Sequence, residues 1–381
     1  MNDRPLLGRR LVGGVSIGRL ATLDARSSLL IVGPTQAGKT SSLVVPALLR
    51  WSDALVVTSV KDDVVQTTLE WRRALGEVQI LEPGRDGGLT WNPMEGVSTI
   101  RHATRVARDL TVGSLERGDS DFWNALATKL VAGLMVMAKE RGNTIFDVAS
   151  VVERNDIEAW LGGGSSLASD GVRSFLTHDA KTLDGVLTTA ETMLMPWRFA
   201  QPLAKVRHVV AGANTLYLCS PRGEQRHYEP LFRGALRMIL EEQQRHVQQG
   251  TQRRVLMVLD EAATVASLDE LDQLAATVSG LDVTLVTVVQ DFAQLVGRWG
   301  SRSATIVNNH TTRVVLAGLA DPTVGKYLPE LVESKVTPSL SLRLRPKGTA
   351  LVVSGGRRVY AVRLRPWWRI RRLARRGTRL G

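Results

Sequence analysis

The residues best suited to chemistry stand in "LLIVGPTQAGKTSS", residues 29–42. The spacing Gly33-x-x-x-x-Gly38-Lys39-Thr40 fits a Walker A loop, with Pro34, Thr35, Gln36 and Ala37 between the glycines and Ser41 just after. Glycines at these places let the backbone come close, so that successive N–H groups point at a β-phosphate. A lysine at position 39 bridges the β- and γ-phosphates, and the Thr40 hydroxyl suits Mg²⁺. Such a loop needs an acidic partner at the end of a neighbouring strand. "RVLMVLDEA" (254–262) supplies one: Asp260 to hold Mg²⁺ through water, and Glu261 to orient and polarise the attacking water as general base. An acidic pair can also simply open a surface helix, against its dipole. Beside a Walker A loop the hydrolytic reading is the stronger, and it implies ATP and Mg²⁺ as cofactors.

Elements with the right rhythm surround these residues. "SSLLIVG" (27–33), "DALVVTSV" (53–60) and "EVQILEP" (77–83) read as buried strands, separated by helices from Lys39 through Leu49 and over "KDDVVQTTLEWRRAL". Apolar strands alternating with helices imply a parallel sheet covered on both faces. From about 101 to 200 the pattern becomes helical, clearest in "DFWNALATKLVAGLMVMAKE" (121–140) and continuing through "IEAWL", "GVRSFL" and "TLDGVLTTAETMLMPW", with the loop "GGGSS" between. Strands then resume in "TLYLCS", "RVLMVLDEA", "VTLVTVVQD" and "TRVVLAG", and the chain closes on β-rich runs, "LSLRLR", "TALVVSG" and "RVYAVRLR". Gln290 ends the strand after the acidic pair. In the RecA-like group of P-loop ATPases that place carries a polar residue facing the γ-phosphate.

Composition narrows the class. The single cysteine, Cys219, excludes an internal disulfide framework and, inside "TLYLCS", reads as a buried structural thiol. No apolar run approaches the ~20 residues of a membrane span; "LVAGLMVMA" is too short and flanked by Lys129 and Lys139. The net charge of +12 is concentrated at one end: Ser334 to Gly381 holds 14 Lys and Arg and no Asp or Glu, leaving the rest at −2. A localised positive field points to a polyanion. In "VRLRPWWRIRRLARRGTRLG" the arginines and the pair Trp367–Trp368 suit phosphates and unpaired bases, or equally an anionic bilayer interface. The last ten or so residues read as loose.

Taken together the motifs resemble the type IV secretion coupling proteins, the TraG/TraD-type conjugative ATPases. The likeness rests on the Walker A loop, "DALVVTSVKDDVVQTT", "ILEPGRDGGLTWNPMEG", "DSDFWNALATKLVAGLMVMA", "VLDEAATVASLDELDQL", "VTVVQDFAQLVGRWG" and "IVNNHTTRVVLAGLADPTVGKYL", in that order. It covers roughly residues 15 to 370. The resemblance implies an α/β, RecA-like P-loop NTPase with a central, mostly parallel sheet and an inserted all-α domain. The expected divisions are 1–100 and 206–365 for the nucleotide-binding domain, 101–205 for the insertion and 366–381 for a basic tail. It transfers roles to Gly33, Gly38, Lys39, Thr40, Asp260, Glu261 and Gln290. Further implications are DNA-stimulated ATP hydrolysis, a homo-oligomeric ring, usually hexameric, and partners among DNA (single- or double-stranded), relaxase, nucleoprotein or protein substrates and secretion-channel components.

Two departures accompany the likeness. Family members usually carry N-terminal transmembrane helices, whereas this sequence begins almost at the nucleotide domain; the expectation is a cytoplasmic position, peripheral at the inner face of the cell membrane. The family also commonly has a basic residue before the sensor strand, a candidate arginine finger, where "VSGLDVTLV" offers Gly280, Leu281 and Asp282. Arg298, Arg302 and Arg313 are the substitutes. Rival readings are an FtsK/HerA-type translocase working without a secretion channel, and a substrate-recruitment platform with little turnover.

Overall fold

The computed structural model describes residues 4–12, 15–24, 26–59, 62–83, 88–111, 119–162, 166–199, 201–220, 223–265, 268–328, 345–355 and 358–378. The run "LSLRLR" lies almost wholly outside them, as does part of "GGGSS". The chain divides into two compact units, one of residues 1–79, 207–222 and 239–381, the other of 80–206 and 223–238. The helical unit thus begins earlier than residue 101 and takes in a second segment at 223–238. That segment opens the helix Gln225–Gln248, whose remainder belongs to the first unit. Sequence periodicity gives no sign of this division, because the helix runs through it without a break.

The strands, in chain order, are β1 (Leu6–Val12), β2 (Val15–Thr22), β3 (Ser28–Val32), β4 (Ala54–Ser59), β5 (Val78–Leu81), β6 (Thr90–Trp91) and β7 (Leu203–Ala204). They continue with β8 (Thr215–Cys219), β9 (Val255–Leu259), β10 (Val283–Val289), β11 (Thr312–Leu316), β12 (Thr349–Ser354) and β13 (Arg358–Arg363). All but β6 and β7 join one sheet in the order β2-β1-β13-β12-β11-β3-β10-β9-β4-β8-β5. From β11 to β8 each pairing is parallel. Every residue of β3, β4, β8, β9, β10 and β11 is buried. Continuous apolar runs mark strands covered on both faces, and this accounts for them. Cys219 ends β8 and is buried, as its apolar setting implies.

On the other side of β11 the sheet turns antiparallel through β12, β13, β1 and β2. β1 and β2 were not expected from the sequence. Their register slips twice, and Gly8 holds φ +129°, a conformation few other residues adopt.

In the helical unit the long helix Asp119–Glu140 is the hub. Leu130, Val131, Leu134 and Met135 are wholly buried, so the apolar run "LVAGLMVMA" is core. Among the described residues no helix is long and apolar enough to cross a membrane. Gly133 permits a close approach: a Cβ there would lie 2.6 Å from Cγ2 of Val172. Several of this unit's helices start on side-chain caps. Thr144 and Asp147 form a reciprocal capping box, and Asp179 accepts from the backbone N–H of Lys181 and Thr182. Trp197 donates to the Trp91 carbonyl at 2.7 Å, with the rings edge-on at 6.2 Å. Each indole N–H so meets a carbonyl, since Trp91 itself donates to Leu231.

Candidate active site at the Walker A loop

The loop leaves β3 at Gly33, whose N–H donates to the Val289 carbonyl of β10. A Cβ on Gly33 would stand 2.7 Å from that of Leu316, so only glycine lets the loop leave against β11. The turn is built on left-handed residues, Gln36 at φ +61° and Gly38 at φ +90°. After it the chain coils into a wide helical turn, Thr40–Val44, in which the N–H of Val45 reaches back to the Thr40 carbonyl. Regular α-helix follows over Val45–Arg50, with Pro46, which has no N–H to donate, at the handover. The expected helix from Lys39 to Leu49 is therefore present, but its first turn is the wider kind.

Lys39 is buried, and its ammonium donates to the Gly33 and Pro34 carbonyls at 2.5 and 3.0 Å. These bonds hold the cation at the loop mouth. The hydroxyl of Thr40 donates to Oδ2 of Asp260 at 3.5 Å, across a sequence separation of 220. Asp260 follows β9, and its backbone carbonyl accepts from the Thr58 hydroxyl of β4 at 3.0 Å. Burial raises the Asp260 carboxyl to about 6; the Glu261 carboxylate adds to the rise and Lys39 opposes it. Glu261 holds φ +54°, a strained backbone for a non-glycine residue, fixed by its carbonyl accepting from the N–H of Thr264 and Val265.

Gln290 follows β10, and its Oε1 accepts from the Thr35 hydroxyl at 3.3 Å. Gln294 reaches back to accept from the Gln290 N–H at 2.9 Å. The strand order places β10 between β3 and β9, so the Gln290 side chain lies beside both the loop and the acidic pair. Thr35, Gln36, Gly38, Lys39, Thr40, Ser41, Asp260, Glu261 and Gln290 all line one cavity of about 640 Å³. That volume accommodates a cofactor-sized ligand. A hard cation takes oxygen ligands, and Mg²⁺ commonly uses one or two protein oxygens with the rest from water and phosphate. Thr40 and Asp260 fit that requirement, and among the described residues no cluster of three or more His, Cys, Asp or Glu offers an all-protein cage.

Further wall residues were not read from the sequence as part of this site: Asp63, Thr67, Val45 and the pair Trp367–Trp368. The last ten or so residues were expected to be loose, but those described, up to Thr378, are docked together with the segment before them. Trp367 and Leu373 are buried against Val45 and Leu49, with Trp71 and Ile370 alongside. The Arg376 guanidinium lies 3.9 Å from the centre of the Trp71 ring and donates to the Leu49 carbonyl at 2.7 Å, while the Thr378 N–H donates to Thr67. Most of the Trp367 ring is thus committed to this cluster. No local signal places a segment over 320 residues downstream on the helix after the loop.

The substitute arginines sit elsewhere. Arg313 is buried in β11, Arg298 pairs with Asp269 at 3.3 Å and Arg302 with Asp272 at 3.4 Å; none lines the cavity.

Comparison with known proteins places this architecture. Residues 5–336 match the family model described as type IV secretory system conjugative DNA transfer. The conjugal transfer protein TraG of Escherichia coli is 24% identical over 319 residues, covering 71% of this chain and 49% of that protein. Protein VirD4 of Rhizobium radiobacter is 22% identical over 356 residues, covering 86% and 51% respectively. The chain thus spans about half the length of the curated relatives it matches. The bacterial conjugative coupling protein TrwB, solved with residues removed from its N-terminus and with bound sulphate, superposes with a TM-score of 0.72 at 18% identity, covering 95% of this chain and 94% of that one. The fold is therefore that of a RecA-like P-loop NTPase.

Proposed function

We propose, since the chain belongs to the type IV secretory system conjugative DNA transfer family, that it is the motor part of a coupling protein, hydrolysing ATP to drive DNA or a nucleoprotein substrate into a secretion channel. The observation that carries the reading is the convergence of Lys39, the Thr40–Asp260 pair, Glu261 and Gln290 on one cavity, from three neighbouring strands. Structures of TrwB have been solved with a non-hydrolysable ATP analogue, a non-hydrolysable GTP analogue, and ADP with Mg²⁺, which supports the same ligand class here.

Bound Mg²⁺–ATP supplies the phosphoanhydride and the Lewis acid that polarises it. The chain's own residues do the rest. Backbone N–H groups of Gly38, Lys39 and Thr40 would cradle the β-phosphate, and Lys39 would exchange its carbonyl partners for phosphate oxygens. Thr40 and Asp260 are the residues that would hold the Mg²⁺. Glu261, aimed by its left-handed backbone, accepts a proton from the attacking water. Gln290, tied to the loop through Thr35, senses whether the γ-phosphate is present.

DNA engagement and ring assembly belong to the same proposal. Arg369, Arg371, Arg372 and Arg375 are exposed on the docked tail and suit phosphate contacts, whose strength falls with salt. The test is ATPase activity with and without single- and double-stranded DNA at low salt. Lys39→Ala should abolish nucleotide binding, and Glu261→Gln should keep binding but lose turnover by two to four orders of magnitude, roughly the worth of a general base. Unchanged turnover in both variants refutes the motor reading.

A further inference from the structure

Phosphate recognition explains only part of the cavity. Its lining passes from the polar loop, Thr35–Ser41, to Val45, Thr67, Trp367 and Trp368. Val45 follows the wide turn Thr40–Val44, so it stands more than a full helical turn beyond Lys39. An extended nucleotide held by its phosphates at Lys39 therefore brings its base toward the wall that Val45 and the tryptophans form. Asp63 lines the cavity as well, one helical turn before Thr67.

The two tryptophans are treated oppositely by the fold. Trp367 is buried in the cluster with Val45, Leu49 and Leu373, and Gly377 closes over it so tightly that a Cβ would meet the ring at 2.6 Å. Trp368 stands edge-on to it at 5.8 Å and remains 38% exposed, one of few large apolar side chains left so. A short helical turn, Trp367–Arg369, fixes the angle between them. Trp368 is thus held by its neighbour and spends its own surface on the cavity.

We infer that Trp368 is the platform on which the base of a bound nucleoside triphosphate stacks, which makes the docked carboxyl-terminal segment, residues 366–378, part of the nucleotide site. The inference rests on the nucleotide-site reading above. Every base has a π-face, so stacking of this kind discriminates weakly among bases. Among the described residues lining this end of the cavity, only the Asp63 carboxylate and the Thr67 hydroxyl could meet the edge of a base. ATP and GTP should therefore bind within a few-fold of each other, and pyrimidine nucleotides more weakly.

The experiment is equilibrium binding of Mg²⁺–ATP, Mg²⁺–GTP and Mg²⁺–tripolyphosphate to the full chain and to Trp368→Ala and Trp368→Phe. Stacking losses on alanine substitution correspond to about 5- to 100-fold in affinity. Trp368→Ala should weaken both nucleotides by that factor and leave tripolyphosphate unchanged, which also certifies an intact loop, while Trp368→Phe recovers most of the loss. Equal loss for tripolyphosphate, or unchanged nucleotide affinity, overturns the platform. If the unaltered chain binds neither ATP nor tripolyphosphate, the nucleotide-site reading itself fails and the inference falls with it.

Discussion

His310 permits a stability prediction worked from its burial, its hydrogen bonds and the depressed pKa that burial causes. It closes the helix Ser303–Asn309, two residues before β11, and is wholly buried, with Nδ1 2.7 Å from the Ile306 carbonyl and Nε2 2.9 Å from the Thr287 hydroxyl of β10. A carbonyl can only accept, so Nδ1 carries the hydrogen and Nε2 accepts from Thr287. Adding a second proton would place a charge in the sheet with no carboxylate partner and with Arg313 as a like-charged neighbour. Burial chiefly, and Arg313 to a lesser degree, push the imidazole down from 6.5 to about 4. The folded-state value is depressed, so the stability it contributes is full above about 6.5 and is lost as pH falls toward 4. Between pH 7 and pH 5 the loss is about 2 kcal/mol by linkage.

The perturbation is His310→Asn, which keeps a donor for Ile306 but has no proton to gain. The variant should be less stable at every pH because it leaves a void, yet its urea-unfolding free energy should fall less between pH 7 and pH 5, by about 2 kcal/mol. Taking the difference of differences removes groups common to both proteins, among them Asp260, whose raised carboxyl acts with the opposite sign in the same range. If variant and parent lose the same stability across that range, His310 is not a buried neutral imidazole and the reasoning is wrong.

Two other substitutions probe what positions the site. Arg72 is wholly buried, brought down to about 10 by that burial, and binds the Trp51 and Asp53 carbonyls and the Thr215 hydroxyl at 2.6 to 2.7 Å. Arg72→Met should cost about 3–5 kcal/mol by thermal or urea unfolding, since it orphans buried carbonyls at the ends of β4 and β8; a loss under 1 kcal/mol would contradict this account. Gly38→Ala meets no steric obstacle, Ser42 Oγ being 3.5 Å from the new Cβ, so its cost is the left-handed backbone alone. A strain of about 1–2 kcal/mol should appear as roughly tenfold weaker nucleotide binding by titration calorimetry, with little change in overall secondary structure by circular dichroism.

The chemistry at the loop was legible because it is local. Eight consecutive residues, Gly33 to Thr40, carry the glycine freedoms, the ammonium and the hydroxyl, and no tertiary information is needed to recognise them. The parallel strands were legible for a similar reason, since burial on both faces writes itself into the chain as an unbroken apolar run. The same uniformity hides which strand lies beside which. Nothing in "VTLVTVV" says that β10 separates β3 from β9, although that order is what sets Gln290 beside Lys39 and Glu261. β1 and β2 were missed because glycines and arginines interrupt their pattern and bulges break their register. The approach of Thr40 to Asp260, the His310 bond to Thr287 and the Arg72 cluster all join residues distant in sequence, and side-chain type reports burial but not partner.

The tail shows the division most plainly. Its composition suggested a cationic segment whose tryptophans suit a base or a bilayer interface, with the last ten or so residues loose, and charge counting could say no more. Folding buries one indole against the helix after the loop and leaves the other on the cavity wall. Which of two adjacent, chemically identical side chains is buried depends on the shape of the surface they meet, and that surface exists only once β3, its helix and β4 have assembled.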